Sequence, residues 1–78
     1  MDYQTAATTV VKPKLEEIFG AMLGGAIFTS GFVAALKGAD DKDKMRILVE
    51  AVCTNQQVLA MWGDAQTANQ KNQWLALV

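Results

Sequence analysis

The stretch IFGAMLGGAIFTSGFVAAL, residues 18–36, constrains the fold more than any other part of the chain. It holds 19 consecutive positions without a charge. On a helical wheel of about 100° per residue, its apolar side chains surround the helix axis almost completely. A helix that is apolar all round is buried inside a protein or lies in lipid. The rest of the chain is therefore expected to cover this helix or to anchor it in a membrane.

Small residues form a strip along this helix. Gly20, Gly24, Gly31 and Ala35 fall within about 60° of one another by the helical period. Such a strip lets a second backbone approach closely, as in helix pairs with small residues four apart. We therefore expect the strip to lie at a helix–helix interface. The competing interpretation is that Gly24 and Gly25 break the helix, since each interior glycine costs about 1 kcal/mol relative to alanine.

The residues that flank this stretch predict where the first helix begins and ends. Pro13 is typical of a first helical turn, and Gly38 is typical of the position just after a helix C-terminus. We therefore expect the first helix to run from about residue 12 to residue 37. We interpret residues 1–11 as an extended or frayed N-terminal arm, and residues 12–78 as a single helical domain.

A membrane span is the main alternative for residues 18–36, because about 20 apolar residues cross a bilayer. Only nine of these residues are strongly apolar, and the others are glycine, alanine, threonine and serine. Lysines near both ends give no preferred orientation in a membrane. We therefore favour a buried helix in a soluble, cytoplasmic oligomer, and a small single-span membrane protein is the alternative.

The charged stretch GADDKDK, residues 38–44, predicts a turn followed by an N-cap at Asp40 or Asp41. A second helix is then expected from about residue 42 to residue 62. Its apolar arc is about 200° wide, whereas a surface helix needs little more than 100°. An arc of this width is expected to contact two neighbours, the first helix of the same chain and a helix of a second chain.

The C-terminal third completes the predicted interface. Asn55 and Gln56 are expected inside the apolar arc, where an amide at a helix–helix seam fixes register; the alternative is that the arc is narrower there and both face solvent. Gly63 and Asp64 predict a stop and a new N-cap, followed by a shorter helix over residues 65–77 that Trp74 ties down. The competing interpretation of this segment is a polar connector with a short apolar anchor. The predicted interface residues are Gly20, Gly24, Gly31, Ala35, Ile47, Asn55, Val58, Trp62 and Trp74.

Composition limits the chemistry that the chain can perform. There is no histidine, and Cys53 is the only cysteine. Catalytic sets that need histidine and internal disulfides are therefore excluded. The net charge of -1 and the absence of a basic stripe argue against nucleic-acid binding. We expect Cys53 to be a passive, partly buried thiol, and we expect no enzymatic activity, metal or cofactor.

Together these patterns predict an all-α protein in which two long helices form a hairpin and a shorter C-terminal helix follows. A domain of 78 residues has a modest core, so we expect oligomerisation to cover the remaining apolar surface. The expected function is a non-enzymatic protein–protein interaction module, namely a self-associating adaptor, inhibitor or assembly subunit. Its expected partners are itself, as a homodimer or larger, and possibly another protein.

Overall fold

The computed structural model describes residues 1–78 and contains helices but no strand. The four α-helices in chain order are α1 (Tyr3–Ala6), α2 (Lys12–Ala34), α3 (Asp41–Cys53) and α4 (Gln56–Leu75). A π-helical turn, Ala7–Val11, joins α1 to α2, and a 3-10 turn, Ala35–Lys37, extends α2. The prediction of an all-α protein is therefore confirmed.

The N-terminal segment is helical and largely buried on one side, so the prediction of an extended or frayed arm over residues 1–11 is wrong. Asp2 caps the first turn, since its Oδ1 accepts a hydrogen bond from the Thr5 N–H at 2.7 Å. Buried side chains recur every four residues, at Tyr3, Ala7, Val11 and Leu15. This spacing is typical of a helix, and it continues without interruption from α1 into α2.

The first predicted helix is interrupted at Gly20. Its backbone has φ 84° and ψ 166°, a region of the Ramachandran map that is essentially restricted to glycine. Helix α2 therefore consists of two arms, residues 12–19 and 21–34, that meet at a corner. The competing interpretation of a break at Gly24 and Gly25 is right in kind but wrong in position.

The second predicted helix is also interrupted, because α3 ends at Cys53 and α4 begins at Gln56. Asn55 is the N-cap of α4, and its Oδ1 accepts hydrogen bonds from the N–H groups of Gln57 at 2.8 Å and Val58 at 3.3 Å. The side-chain oxygen is thus used within the chain as a cap. The prediction that Asn55 is a seam amide within one long helix is wrong.

Two other boundary signals act as predicted, whereas the helical run begins at Tyr3 rather than near Pro13, and the Asp64 side chain makes no capping hydrogen bond. Asp40 is the N-cap of α3, and its Oδ1 accepts a hydrogen bond from the Asp43 N–H at 2.8 Å. Gly63 stops the helix, with φ 77° and ψ 168°. A shorter C-terminal helical arm follows at once and ends at Leu75. Helix α4 therefore has two arms, residues 56–62 and 64–75.

Helix α3 lies at the centre of the fold and contacts α1, α2 and α4. Its buried residues follow the 3.6-residue period and are Met45, Leu48, Val49, Val52 and Cys53. Four of them, Met45, Leu48, Val49 and Val52, fall on the apolar arc that the helical wheel predicts for this helix. The arc is therefore confirmed over α3, and it is covered by neighbouring helices of the same chain.

Aromatic contacts fix the N-terminal segment onto the second arm of α2. The Tyr3 ring stacks on Phe32 at a centroid distance of 5.6 Å, and Phe32 lies 5.4 Å from Phe28. The Tyr3 hydroxyl is buried without a hydrogen-bond partner. The two chain ends also meet, since the Met1 ammonium donates a hydrogen bond to the Leu77 carbonyl at 2.7 Å.

Candidate interaction surface

The strip of small residues does allow close helix contact, but the contact lies within this chain. A Cβ added at Gly24 would collide with the backbone carbonyl of Leu15 across the corner. A Cβ added at Gly31 would lie 2.9 Å from Cδ1 of Leu48 on α3. Ala35 is completely buried. These three small residues are therefore covered without a second copy.

The other predicted interface residues are also largely engaged inside the fold. Val58 and Trp74 are buried, and the Trp62 ring packs against Trp74 at 6.0 Å. Ile47 is partly buried against the core. Of the nine predicted residues, those that keep partial or full exposure are Gly20, Ile47, Asn55 and Trp62. A second chain can reach the buried ones only if this fold rearranges.

A different face of residues 21–37 is exposed. Its members are uncharged and consist of Met22, Ala26, Thr29, Val33 and Leu36, here called the exposed seam. Met22 is 91 % exposed, Val33 57 % and Leu36 69 %. A methionine, a valine and a leucine on one helix face are thus in contact with water.

The spacing of the exposed seam is regular. Its positions follow one another at intervals of four, three, four and three residues, which is the apolar repeat of helices that pair along their length. The seam spans 14 helical steps, or about 21 Å at 1.5 Å per residue. Lys37 is the only charged residue in residues 21–37, so no charge interrupts the seam.

The sequence gives the two faces of this helix correctly but not which of them is inside. On the helical wheel, Met22, Leu23, Val33 and Leu36 fall on one broad apolar arc, which is as suitable for burial as the strip of small residues. In the structure Gly31 packs against α3 and Gly24 packs against the Leu15 backbone, whereas Met22, Leu23, Val33 and Leu36 face solvent. The four-three spacing of the seam is the signal that points to it.

A cleft of about 190 Å³ opens between the end of α3 and the second arm of α4. Cys53 lies in its wall, and its Sγ donates a hydrogen bond to the Thr67 carbonyl at 3.9 Å. Burial raises the pKa of the Cys53 thiol, and the nearby Lys71 ammonium lowers this pKa by a smaller amount. The thiol is therefore protonated at neutral pH, which leaves it a weak nucleophile.

Two acidic side chains of α3 pair with Arg46. Arg46 lies between Asp43, at 2.5 Å, and Glu50, at 3.5 Å, on the exposed face of α3. The hydrogen bond from Arg46 lowers the pKa of the Asp43 carboxyl, with a further contribution from the Ala39 N–H. No group of three or more acidic or cysteine side chains is close enough to hold a metal ion.

Comparison of the chain with protein-family models, with curated proteins and with solved structures finds no match.

Proposed function

We propose that this chain is a non-enzymatic helical interaction module that associates with copies of itself. The observation that carries the proposal is the exposed seam, which presents three large apolar side chains to water on one helix face. Burying a methionine, valine or leucine side chain contributes about 1.5–3 kcal/mol each. Covering the seam therefore favours association, from which the cost of immobilising two chains is subtracted.

The distribution of apolar surface supports the proposal more than its total amount does. The accessible surface is 4509 Å², close to the about 4,600 Å² typical of a monomeric protein of this mass. The total accessible surface is thus ordinary for a monomer and does not by itself support association. Apolar side chains gathered on one face, rather than scattered singly, are typical of interaction sites.

The size of the seam indicates how tight the association is. The seam is a single helix face only about 21 Å long, so it buries less surface than the about 800 Å² per partner of a standard protein interface. We therefore expect a dissociation constant in the micromolar range, with dimer and monomer in exchange. A larger oligomer or a second protein partner is compatible with the same face.

Sedimentation equilibrium over a range of micromolar concentrations tests this proposal. The expected result is an average mass that rises above 8.4 kDa as the concentration increases. Circular dichroism at the same concentrations should remain that of a helical protein. A folded chain that stays at the monomer mass throughout this range would contradict self-association.

The second candidate is a single-span membrane protein, favoured by the helical run Tyr3–Lys37. Its most apolar window has a mean hydropathy of 1.7 and is 28% buried. The corner at Gly20 divides the run into arms of 17 residues, and each would span about 25 Å, short of the about 30 Å of a bilayer core. A span therefore requires Gly20 to become helical.

Behaviour without detergent separates the two candidates. The soluble module, which we place in the cytoplasm, should remain in the supernatant after high-speed centrifugation. The membrane protein should instead require detergent or float with lipid vesicles. The free Cys53 thiol is compatible with a reducing compartment such as the cytoplasm.

A further inference from the structure

We infer that the second copy pairs along the exposed seam in antiparallel orientation, with the Met22 end of one protomer beside the Leu36 end of its partner. This inference rests on the proposed self-association and specifies its geometry. In a two-fold dimer the same patch is used by both chains. The seam satisfies that condition, because it is one continuous face that requires no second surface.

The side chains of the seam fit a helix partner. The large residues Met22 and Leu36 lie at the two ends, and the smaller Ala26 and Thr29 lie between them. Small central residues let two helices approach closely, while the large terminal ones cover apolar surface at each end. Antiparallel pairing also sets the Ala26 half of one seam against the bulkier Val33 half of the other.

Charge determines the orientation. Lys37 is exposed at the end of the seam and is the only charge in residues 21–37. Parallel pairing would bring two Lys37 ammonium groups to the same end, and it would also align the two helix dipoles in a repulsive sense. Antiparallel pairing separates the ammonium groups by about the length of the seam, well beyond the Debye length of about 8 Å at physiological ionic strength.

A second copy fits this face better than a lipid surface does. Helices that lie on membranes carry several lysines or arginines along their polar face. Lys37 is the single cation within residues 21–37, and the polar Thr29 lies at the middle of the seam. The seam is also narrow, because the partly buried Phe32 on one side already packs against Tyr3.

A charge exchange in the full chain tests the orientation. The variants are Met22→Glu, Leu36→Lys and the double variant, each measured by sedimentation equilibrium and checked by circular dichroism. Both side chains are exposed, so the fold should persist. Leu36→Lys should weaken dimerisation by about tenfold or more, since an unpaired charge is then buried in the interface. Met22→Glu should weaken it less, because the partner's Lys37 lies at the same end of the antiparallel dimer. Ala60→Glu, at an exposed position of α4 outside the seam, should leave dimerisation unchanged.

The double variant distinguishes the two orientations. In the antiparallel dimer each introduced carboxylate lies beside an introduced ammonium of the partner, so dimerisation should recover to within about threefold of the original chain, with increased sensitivity to salt. In a parallel dimer, like charges meet at both ends and the double variant should remain monomeric. That result would overturn the antiparallel arrangement.

The remaining outcomes separate this inference from the proposed function. If the original chain dimerises and the single variants dimerise equally well, the seam is not the interface, although self-association stands. If the original chain is a monomer at all concentrations, both proposals fail. A monomer that co-sediments with vesicles of phosphatidylcholine and phosphatidylglycerol would identify a lipid surface as the occupant of the seam.

Discussion

Two glycine corners turn the helical chain, one within α2 and one within α4. Gly20 has φ 84° and ψ 166°, and Gly63 has φ 77° and ψ 168°, so the two backbones are nearly the same. Each glycine follows an aromatic residue, and each lies five positions after a fully buried apolar residue, Leu15 or Val58. One backbone conformation thus serves two corners.

The corners differ four residues further on. At the first corner this position is Gly24, which lies against the Leu15 backbone with no room for a side chain. At the second corner it is Thr67, whose hydroxyl donates a hydrogen bond to the Gly63 carbonyl at 2.7 Å. The comparison shows that the glycine sets the turn, whereas the residue four positions later sets how closely the two arms approach.

The largest expected effect is at the Gly20 corner, here called the tight corner because Gly24 has no room there for a side chain. Gly24→Ala should lower the free energy of unfolding by about 3 kcal/mol, at the upper end of overpacking effects, because the atom it meets belongs to the backbone. Urea unfolding followed by circular dichroism measures the change. The matched control is Gly25→Ala, where the added Cβ meets nothing within 4 Å, so stability should rise by up to about 1 kcal/mol. Equal tolerance of the two changes would remove the distinction between the corners.

The glycine conformation itself should matter equally at both corners. Gly20→Ala and Gly63→Ala should each lower the free energy of unfolding by about 1–3 kcal/mol, because an L residue is strained at this φ and ψ. An added Cβ meets nothing within 4 Å at either position, so the effect comes from the backbone alone. D-alanine, placed by chemical synthesis, should restore most of the loss. A loss of stability at only one corner would show that the two glycines contribute unequally to the free energy of unfolding, although their backbones have the same conformation.

The two corners also explain how far the sequence predicts this fold. The apolar period of α3, the cap at Asp40 and the stop at Gly63 are local signals, and each of them predicts its element correctly. Gly20, Gly24 and Gly25 are equally able to leave the helix by themselves. The close packing of Gly24 on the Leu15 backbone accompanies a corner at Gly20, and this contact between residues nine positions apart is not visible in the local sequence.

The candidate surface was less predictable for a similar reason. A helical wheel shows that residues 18–36 have a strip of small residues and a larger apolar arc, but both are suitable for burial. Leu48 packs closely against Gly31, which buries this part of the strip against α3. The larger arc, which includes Met22, is then exposed to solvent. Sequence periodicity therefore defines the faces, while tertiary packing assigns them.

The Gly63 corner, here called the open corner because it accommodates the Thr67 side chain, should be the more tolerant of substitution. Thr67→Val keeps the shape of the side chain and removes its hydrogen bond to the Gly63 carbonyl, so the free energy of unfolding should fall by about 1 kcal/mol. Thr8→Val is a suitable control, because the Thr8 hydroxyl makes a similar bond to the Gln4 carbonyl on an exposed surface. Its effect should be smaller, since water replaces the lost partner. A loss at Thr67 as large as that of Gly24→Ala would mean that the second corner is not open.

The smallest expected effect concerns Cys53, which lines the cleft beside the open corner. Cys53→Ala should lower the free energy of unfolding by about 1 kcal/mol or less, because the site has space to adjust. Cys53→Ser should cost more than the alanine change, since the Thr67 carbonyl lies 3.9 Å from the sulfur and a serine hydroxyl on a shorter bond is left without a good partner. Both variants should keep the mass distribution of the original chain in sedimentation equilibrium.

The pH dependence of thiol labelling completes this test of the cleft. Burial raises the pKa of Cys53 above its ordinary value of 9.0, so the folded state favours the protonated thiol. The stabilising contribution of that proton is full below pH 9.0 and is lost as the pH rises through the higher folded-state pKa. Labelling of the native chain with a maleimide should therefore be slow at neutral pH and faster in alkali or after unfolding in urea. Rapid labelling of the folded chain at neutral pH, together with loss of association in Cys53→Ala, would instead assign the cleft a chemical role and make the open corner part of a reactive site.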